Sequence, residues 1–162
     1  MSDKTIDRVL SEKWHDRAIP KQCWRNAIML GANIIHDESD CADLVYVEGY
    51  LLFAGLVPIE HGWLETATTI IDPTLPDEDA TSYFAGMVYP MREALRVIVQ
   101  NMTRGGRRRR TERDVELPFA HGDGRFGHTH APYLAAYVAA NNVAFPGSLR
   151  IENDRVVFTG GE

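Results

Sequence analysis

The sequence predicts an α+β fold in which one buried helix lies on an antiparallel sheet. Two patterns carry that expectation. Apolar residues recur at a helical period through 21–35, at Trp24, Ala27, Ile28, Gly31, Ile34 and Ile35. Three runs rich in β-branched and aromatic residues then follow at 44–53, 60–65 and 68–72. A third observation concerns organisation: the 162 residues contain no internal repeat and no long linker, so one domain is expected over 1–162. Within it, 21–74 forms the core and 75–162 an extension of helices, loops and a hairpin.

The elements fall in order. A short helix is expected over 4–17, with Ile6, Val9, Leu10 and Trp14 on one side. Ala18-Ile19-Pro20 breaks it, and Pro20 suits the first turn of the next helix, where a missing N–H costs nothing. His36-Asp37-Glu38-Ser39-Asp40 ends that helix. The 44–53 run is the first strand, with a turn around Gly55 and Pro58. The 60–65 and 68–72 runs form a hairpin, and Pro73 stops the second of them. Further on, Met91, Leu95, Ile98, Val99 and Met102 stripe a helix over 89–102. A second helix is expected over 132–141, and a terminal hairpin joins 149–151 to 155–158 through Asn153-Asp154.

Composition narrows the function. The formal net charge of −6 disfavours non-specific nucleic-acid binding by the whole molecule. Two cysteines, Cys23 and Cys41, are too few for a disulfide scaffold. The N-terminal residues have no apolar signal-peptide region, and no stretch reaches the apolar length of a membrane span. A cytoplasmic protein is the expectation. In a reducing compartment a cysteine is inert or catalytic more often than disulfide-bonded.

Cys23 is the candidate nucleophile. It falls in the first turn of the predicted helix, where free backbone N–H groups and the macrodipole favour a thiolate. Its own N–H is the first donor for an oxyanion. A thiolate needs a base, and the base needs a group that orients it. His61 starts one predicted strand and Asp72 ends the next. An antiparallel hairpin places those two ends side by side, and the helix that carries Cys23 must pack on the same sheet.

These residues resemble a known pattern. Gln22-Cys23-Trp24-Arg25-Asn26-Ala27, Tyr46-Val47-Glu48-Gly49-Tyr50, His61-Gly62-Trp63-Leu64-Glu65 and Ile71-Asp72-Pro73-Thr74 are together similar to the core of the transglutaminase-like superfamily, within the papain-like cysteine peptidase fold. The likeness covers about the first half of the chain. It implies a helix bearing the Cys packed on an antiparallel sheet bearing His and Asp. Cys23 would be the acyl-accepting nucleophile, His61 the general base and acid, and Asp72 the residue that holds the imidazole tautomer. Gln22, Trp24 and Trp63 would stand around the substrate and oxyanion. Gly49 and Tyr50 would support the sheet. Gly62 departs from the Ala common at that place, and no acidic calcium loop is evident, so glutamine–lysine crosslinking is not implied. No cofactor is expected. The substrate would be a peptide, a protein or a small acyl compound.

Two further features lie outside that core. Arg107, Arg108, Arg109 and Arg110, flanked by Arg104 and Arg113, form a basic loop. It is suited to phosphate, nucleic acid or an acidic peptide, although Glu112, Asp114 and Glu116 partly cancel its charge and no aromatics interleave for base stacking. His121, Asp123, His128 and His130 have ligand chemistry for zinc. They are read as ordinary loop residues, with no metal expected. A non-catalytic binding or inhibitor protein on the same scaffold is the competing reading, followed by a nucleic-acid-associated protein that uses the arginine loop.

Overall fold

A computed structural model of the protein describes residues 4–37, 43–53, 57–75, 82–104 and 130–159, the side chains of 100–104 excepted. Strand β1 (Thr5–Ile6) leads into helix α1 (Arg8–His15) and then α2 (Cys23–Asp37). Strands β2 (Val45–Leu52), β3 (Pro58–Glu65), β4 (Thr69–Ile71) and β5 (Ser82–Pro90) follow, then α3 (Met91–Arg104) and α4 (Ala131–Ala144). The hairpin β6 (Leu149–Glu152) and β7 (Arg155–Phe158) comes last among the described residues.

The α+β class is as expected, and the sheet is mixed rather than purely antiparallel. Its order is β1-β4-β3-β2-β5, with β1 parallel to β4 and the remaining pairs antiparallel. The short N-terminal strand corrects the expected 4–17 helix. Thr5 and Ile6 pair with Thr69 and Ile70, and the helix begins only after Asp7, whose carboxylate accepts from the Leu10 N–H as an N-cap. Such pairing spans more than sixty positions and leaves no trace in local periodicity.

Helix α2 starts at Cys23, two residues later than the period implies. Lys21 adopts a positive φ of 63°, so Pro20 belongs to the turn ahead of the helix and not to its first turn. Pro58, placed in a turn by its sequence, begins β3 opposite Leu52. His61 therefore sits inside its strand and not at its start. The largest departure is β5, a nine-residue strand that the sequence pattern does not predict and that takes in the first two positions of the helix expected over 89–102. Met91 N–H donates to the Leu44 carbonyl at the point where β5 hands over to α3. Arg104, expected in the basic loop, closes α3, while Arg107 to Arg110, His121, Asp123 and His128 lie outside the described residues.

Helices α2 and α3 cover one part of the sheet. Ala27, Ile28 and Leu30 meet Tyr46, Leu64 and Ile71, and Met91, Ala94 and Ile98 complete that cluster. Helix α4 covers another, with Tyr133, Ala136 and Ala140 against Tyr50, Leu52 and Phe84. A third cluster gathers Val47, Leu51, Trp63, Ile70 and Tyr83. Gly49 marks a bulge in the β2–β5 pairing, and a Cβ there would collide with the Phe84 carbonyl oxygen. Among the described residues no helix is long and apolar enough to cross a membrane.

Candidate active site

The site assembles where β4 stops short. Its pairing with β3 is recorded at Leu64–Ile71 and Glu65–Ile70, so the chain leaves the sheet at Asp72 while β3 continues toward His61. Asp72 swings to the imidazole, and His61 Nε2 donates to its Oδ2 at 2.6 Å. Both groups are buried, the carboxylate completely. With Nε2 occupied by Asp72, Nδ1 is the ring nitrogen left for other partners. Cys23 interacts with the ring from the first residue of α2 and is itself buried.

Both carboxylate oxygens of Asp72 and its backbone N–H have partners. Oδ2 also accepts from the Tyr83 hydroxyl at 2.9 Å, and Oδ1 accepts from the N–H groups of Thr74 at 2.9 Å and Leu75 at 3.3 Å. Its backbone N–H donates to Ser11 Oγ at 3.0 Å. The two residues that follow are held as well: His15 Nδ1 donates to the Pro73 carbonyl, and Asn26 Nδ2 donates to Thr74 Oγ1. The Asp-Pro-Thr turn is therefore fastened by α1 on one side and α2 on the other.

Electrostatics follow from this packing. Burial works against the charged form of His61, but the adjacent Asp72 charge and hydrogen bond outweigh it, and Cys23 adds to them; the imidazole is held up to about 10. Burial likewise opposes the Asp72 anion. The His61 charge, its hydrogen bond, the Thr74 N–H and the Tyr83 hydroxyl override that penalty and lower the carboxyl. Near neutral pH the pair is an imidazolium and a carboxylate.

Cys23 and His61 open onto a cavity of about 30 Å³, walled further by Trp24, Glu48, Glu60, Tyr46 and Tyr133. That space admits a carbonyl-sized group. Tyr133 brings α4 to the cavity, while α3 packs on the sheet. Glu48 is buried and accepts from the Tyr46 hydroxyl at 3.1 Å.

The sequence-named residues around the triad separate by position. Trp24 lines the cavity. Trp63 is wholly buried behind the imidazole, its ring 6.1 Å from that of His61 at an angle of 18°. Trp63 Nε1 donates to Glu65 Oε1 at 2.7 Å, and Lys4 Nζ bonds Glu65 Oε2 at 2.6 Å. Gln22 is not among the cavity's walls; its side-chain oxygen accepts from Arg25 Nη1 on the exposed side of the helix. Gly62 faces α2 so closely that a Cβ would lie 3.0 Å from Trp24 Cα and 3.1 Å from the Tyr46 hydroxyl. The absent methyl admits the helix end that bears Cys23.

Tyr83 and Ser11 carry no motif that marks them in advance, and Glu48 stands within the segment Tyr46-Val47-Glu48-Gly49-Tyr50 with no role given to it there. Among the described residues no group of three or more His, Cys, Asp and Glu side chains is arranged to hold a metal. No protein-family model matches the chain, and neither a curated protein nor a solved structure matches it.

Proposed function

We propose that the chain is a cysteine hydrolase or acyltransferase with a papain-like, transglutaminase-like core, acting through Cys23, His61 and Asp72 on an amide, ester or isopeptide bond. The single observation that carries this reading is the 2.6 Å bond from His61 Nε2 to a fully buried Asp72, with Cys23 beside the same ring at a helix N-terminus. A core cysteine has no need of a charged, oriented imidazole.

The chemistry follows from those positions. Cys23 sulfur attacks the carbonyl carbon as a thiolate, forming a C–S bond while the carbonyl electron pair moves onto oxygen. The first N–H groups of α2, that of Cys23 foremost, have no intrahelical acceptor and face the developing oxyanion. Collapse of the adduct breaks the bond to the leaving nitrogen or oxygen, which takes the imidazolium proton of His61. Water or an amine then attacks the thioester, His61 accepts its proton, and the thiolate departs. Asp72 keeps the ring in one orientation throughout and stays ionised.

A single-turnover reaction with p-nitrophenyl acetate, quenched in acid and read by peptide mass spectrometry, tests this reading. The acetyl group is expected on Cys23 in the wild type and absent in Cys23→Ala and His61→Ala, all three having the same far-UV circular dichroism. Ester turnover undiminished in Cys23→Ala overturns the assignment.

A further inference from the structure

We infer that Tyr83 is a positioning residue for the triad: its hydroxyl shares Asp72 Oδ2 with His61 and thereby sets how tightly the carboxylate holds the imidazolium. The inference rests on the roles proposed above for His61 and Asp72.

The accounting of lone pairs leads to it. An ionised carboxylate offers roughly four acceptor sites. Asp72 has four donors, two on each oxygen: Thr74 and Leu75 N–H on Oδ1, and His61 Nε2 and Tyr83 OH on Oδ2. The donors on Oδ1 are backbone groups fixed by the turn. Of the donors on Oδ2, one is the imidazole and the other is the Tyr83 hydroxyl, a side-chain group that can be removed without touching the turn.

Tyr83 is also held in place for this. It stands on β5, two strands away from β3 in the sheet, and its ring packs at 5.1 Å and 60° against Trp63 and at 6.4 Å from His61. It is buried, and burial together with the neighbouring carboxylate raises its phenol far above the ordinary value, so the hydroxyl remains a donor. Two donors on one oxygen compete for the same electron density. Without the hydroxyl, Oδ2 is left to His61 alone, and the Nε2–H bond tightens. The imidazolium then releases its proton to a leaving group less readily. Tyr83 thus keeps the Nε2–H bond strong enough to fix the ring and weak enough to let the imidazolium give up its proton.

The test is the nitrogen shift of His61 Nε2 at neutral pH, read through the ring C–H protons of 15N-histidine protein and assigned by its loss in His61→Ala. Two changes at position 83 bracket the wild type. Tyr83→Phe removes the donor, and incorporation of 3-fluorotyrosine strengthens it. The Nε2 signal is expected to move in opposite senses in the two proteins, toward a stronger hydrogen bond in Tyr83→Phe. A residue that merely fills space moves neither, or moves both the same way, and either result overturns the inference. Acetylation of Cys23 is measured on the same samples. Opposed shifts with an inert Cys23 leave the role of Tyr83 standing and remove the enzymatic reading. A reactive Cys23 with an unmoved signal removes the role of Tyr83 alone.

Discussion

Ser11 Oγ accepts from the backbone N–H of Asp72 at 3.0 Å and donates its own O–H to the Asp7 carbonyl at 2.6 Å. Both Ser11 and Asp72 are wholly buried. Ser11→Ala leaves the Asp72 N–H without an acceptor, and a buried donor in that condition costs about 1–3 kcal/mol. Urea denaturation is expected to show a loss in that range with an unchanged slope. A variant as stable as the wild type means that the turn finds another partner for this group.

The triad pair gives stability a defined pH window. His61 binds its proton more tightly when folded, about 10 against 6.5, so its contribution is whole below pH 6.5 and disappears as pH rises through about 10. Asp72 is shifted the other way from 3.8, so its contribution is whole above that pH and disappears as pH falls through the lowered folded value. The stability gap between the wild type and Asp72→Asn is expected to be widest between these limits and to close toward pH 10. Urea midpoints measured across that range check it. A gap of constant size means that the pair is not ionised.

Cys23 is expected to react with iodoacetamide at pH 6 faster than Cys41 in the same molecule, and to lose that advantage in His61→Ala. Peptide mass spectrometry reads both cysteines in one digest. Equal rates in the two proteins would mean that His61 does not activate the sulfur.

Two glycines of the core separate close approach from outright collision. Gly62→Ala brings a methyl to 3.0 Å from Trp24 Cα, where the end of α2 must shift slightly; about 1–3 kcal/mol is typical for such overpacking. Gly49→Ala sets its methyl against the Phe84 carbonyl within the β2–β5 ladder, where backbone cannot give way. The melting temperature is expected to fall modestly in the first variant and far more in the second. Reactivity of Cys23 is expected to change in Gly62→Ala, because the displaced residue adjoins it.

The ion pair at the sheet edge is sheltered on one side. Lys4 and Glu65 meet at 2.6 Å, the lysine partly exposed and the glutamate buried, and Lys4 also donates to the Thr66 carbonyl. Lys4→Met leaves that buried carboxylate without its cation and is expected to lower the urea midpoint clearly. Glu65→Gln removes the charge that pairs with Lys4 and disturbs the acceptor of the buried Trp63 indole, and is expected to be damaging as well.

The sequence made some of this legible and hid the rest for physical reasons. Helical spacing from Trp24 to Ile35 located α2, and its missing cap chemistry at Lys21 left the start uncertain by two residues. Runs rich in β-branched and aromatic residues located β2 and β3, and the Asn153-Asp154 turn, both residues at positive φ, located the last hairpin. Strand β5 escaped because Ala85-Gly86-Met87 interrupts its alternation. Gly86 is small there because a Cβ would meet the Tyr133 ring at 2.8 Å, a constraint imposed by a helix over forty residues away. Cys23, His61 and Asp72 stood out through residue type and hairpin logic. Ser11 and Tyr83 did not, since a hydroxyl's partner depends on tertiary geometry and not on its neighbours in the chain.

The fastening of Asp72 by Ser11 joins positions 61 apart in the chain. During synthesis the first helix emerges long before the turn that it secures, and closing so wide a loop is slow relative to local helix formation. Through that interval Ser11 and the Thr5–Ile6 edge have nothing to bind. A nascent chain arrested before residue 72 would therefore carry the sulfur and the imidazole without their anchor. The order of translation itself would keep the site incomplete until the Asp72 turn has left the ribosome.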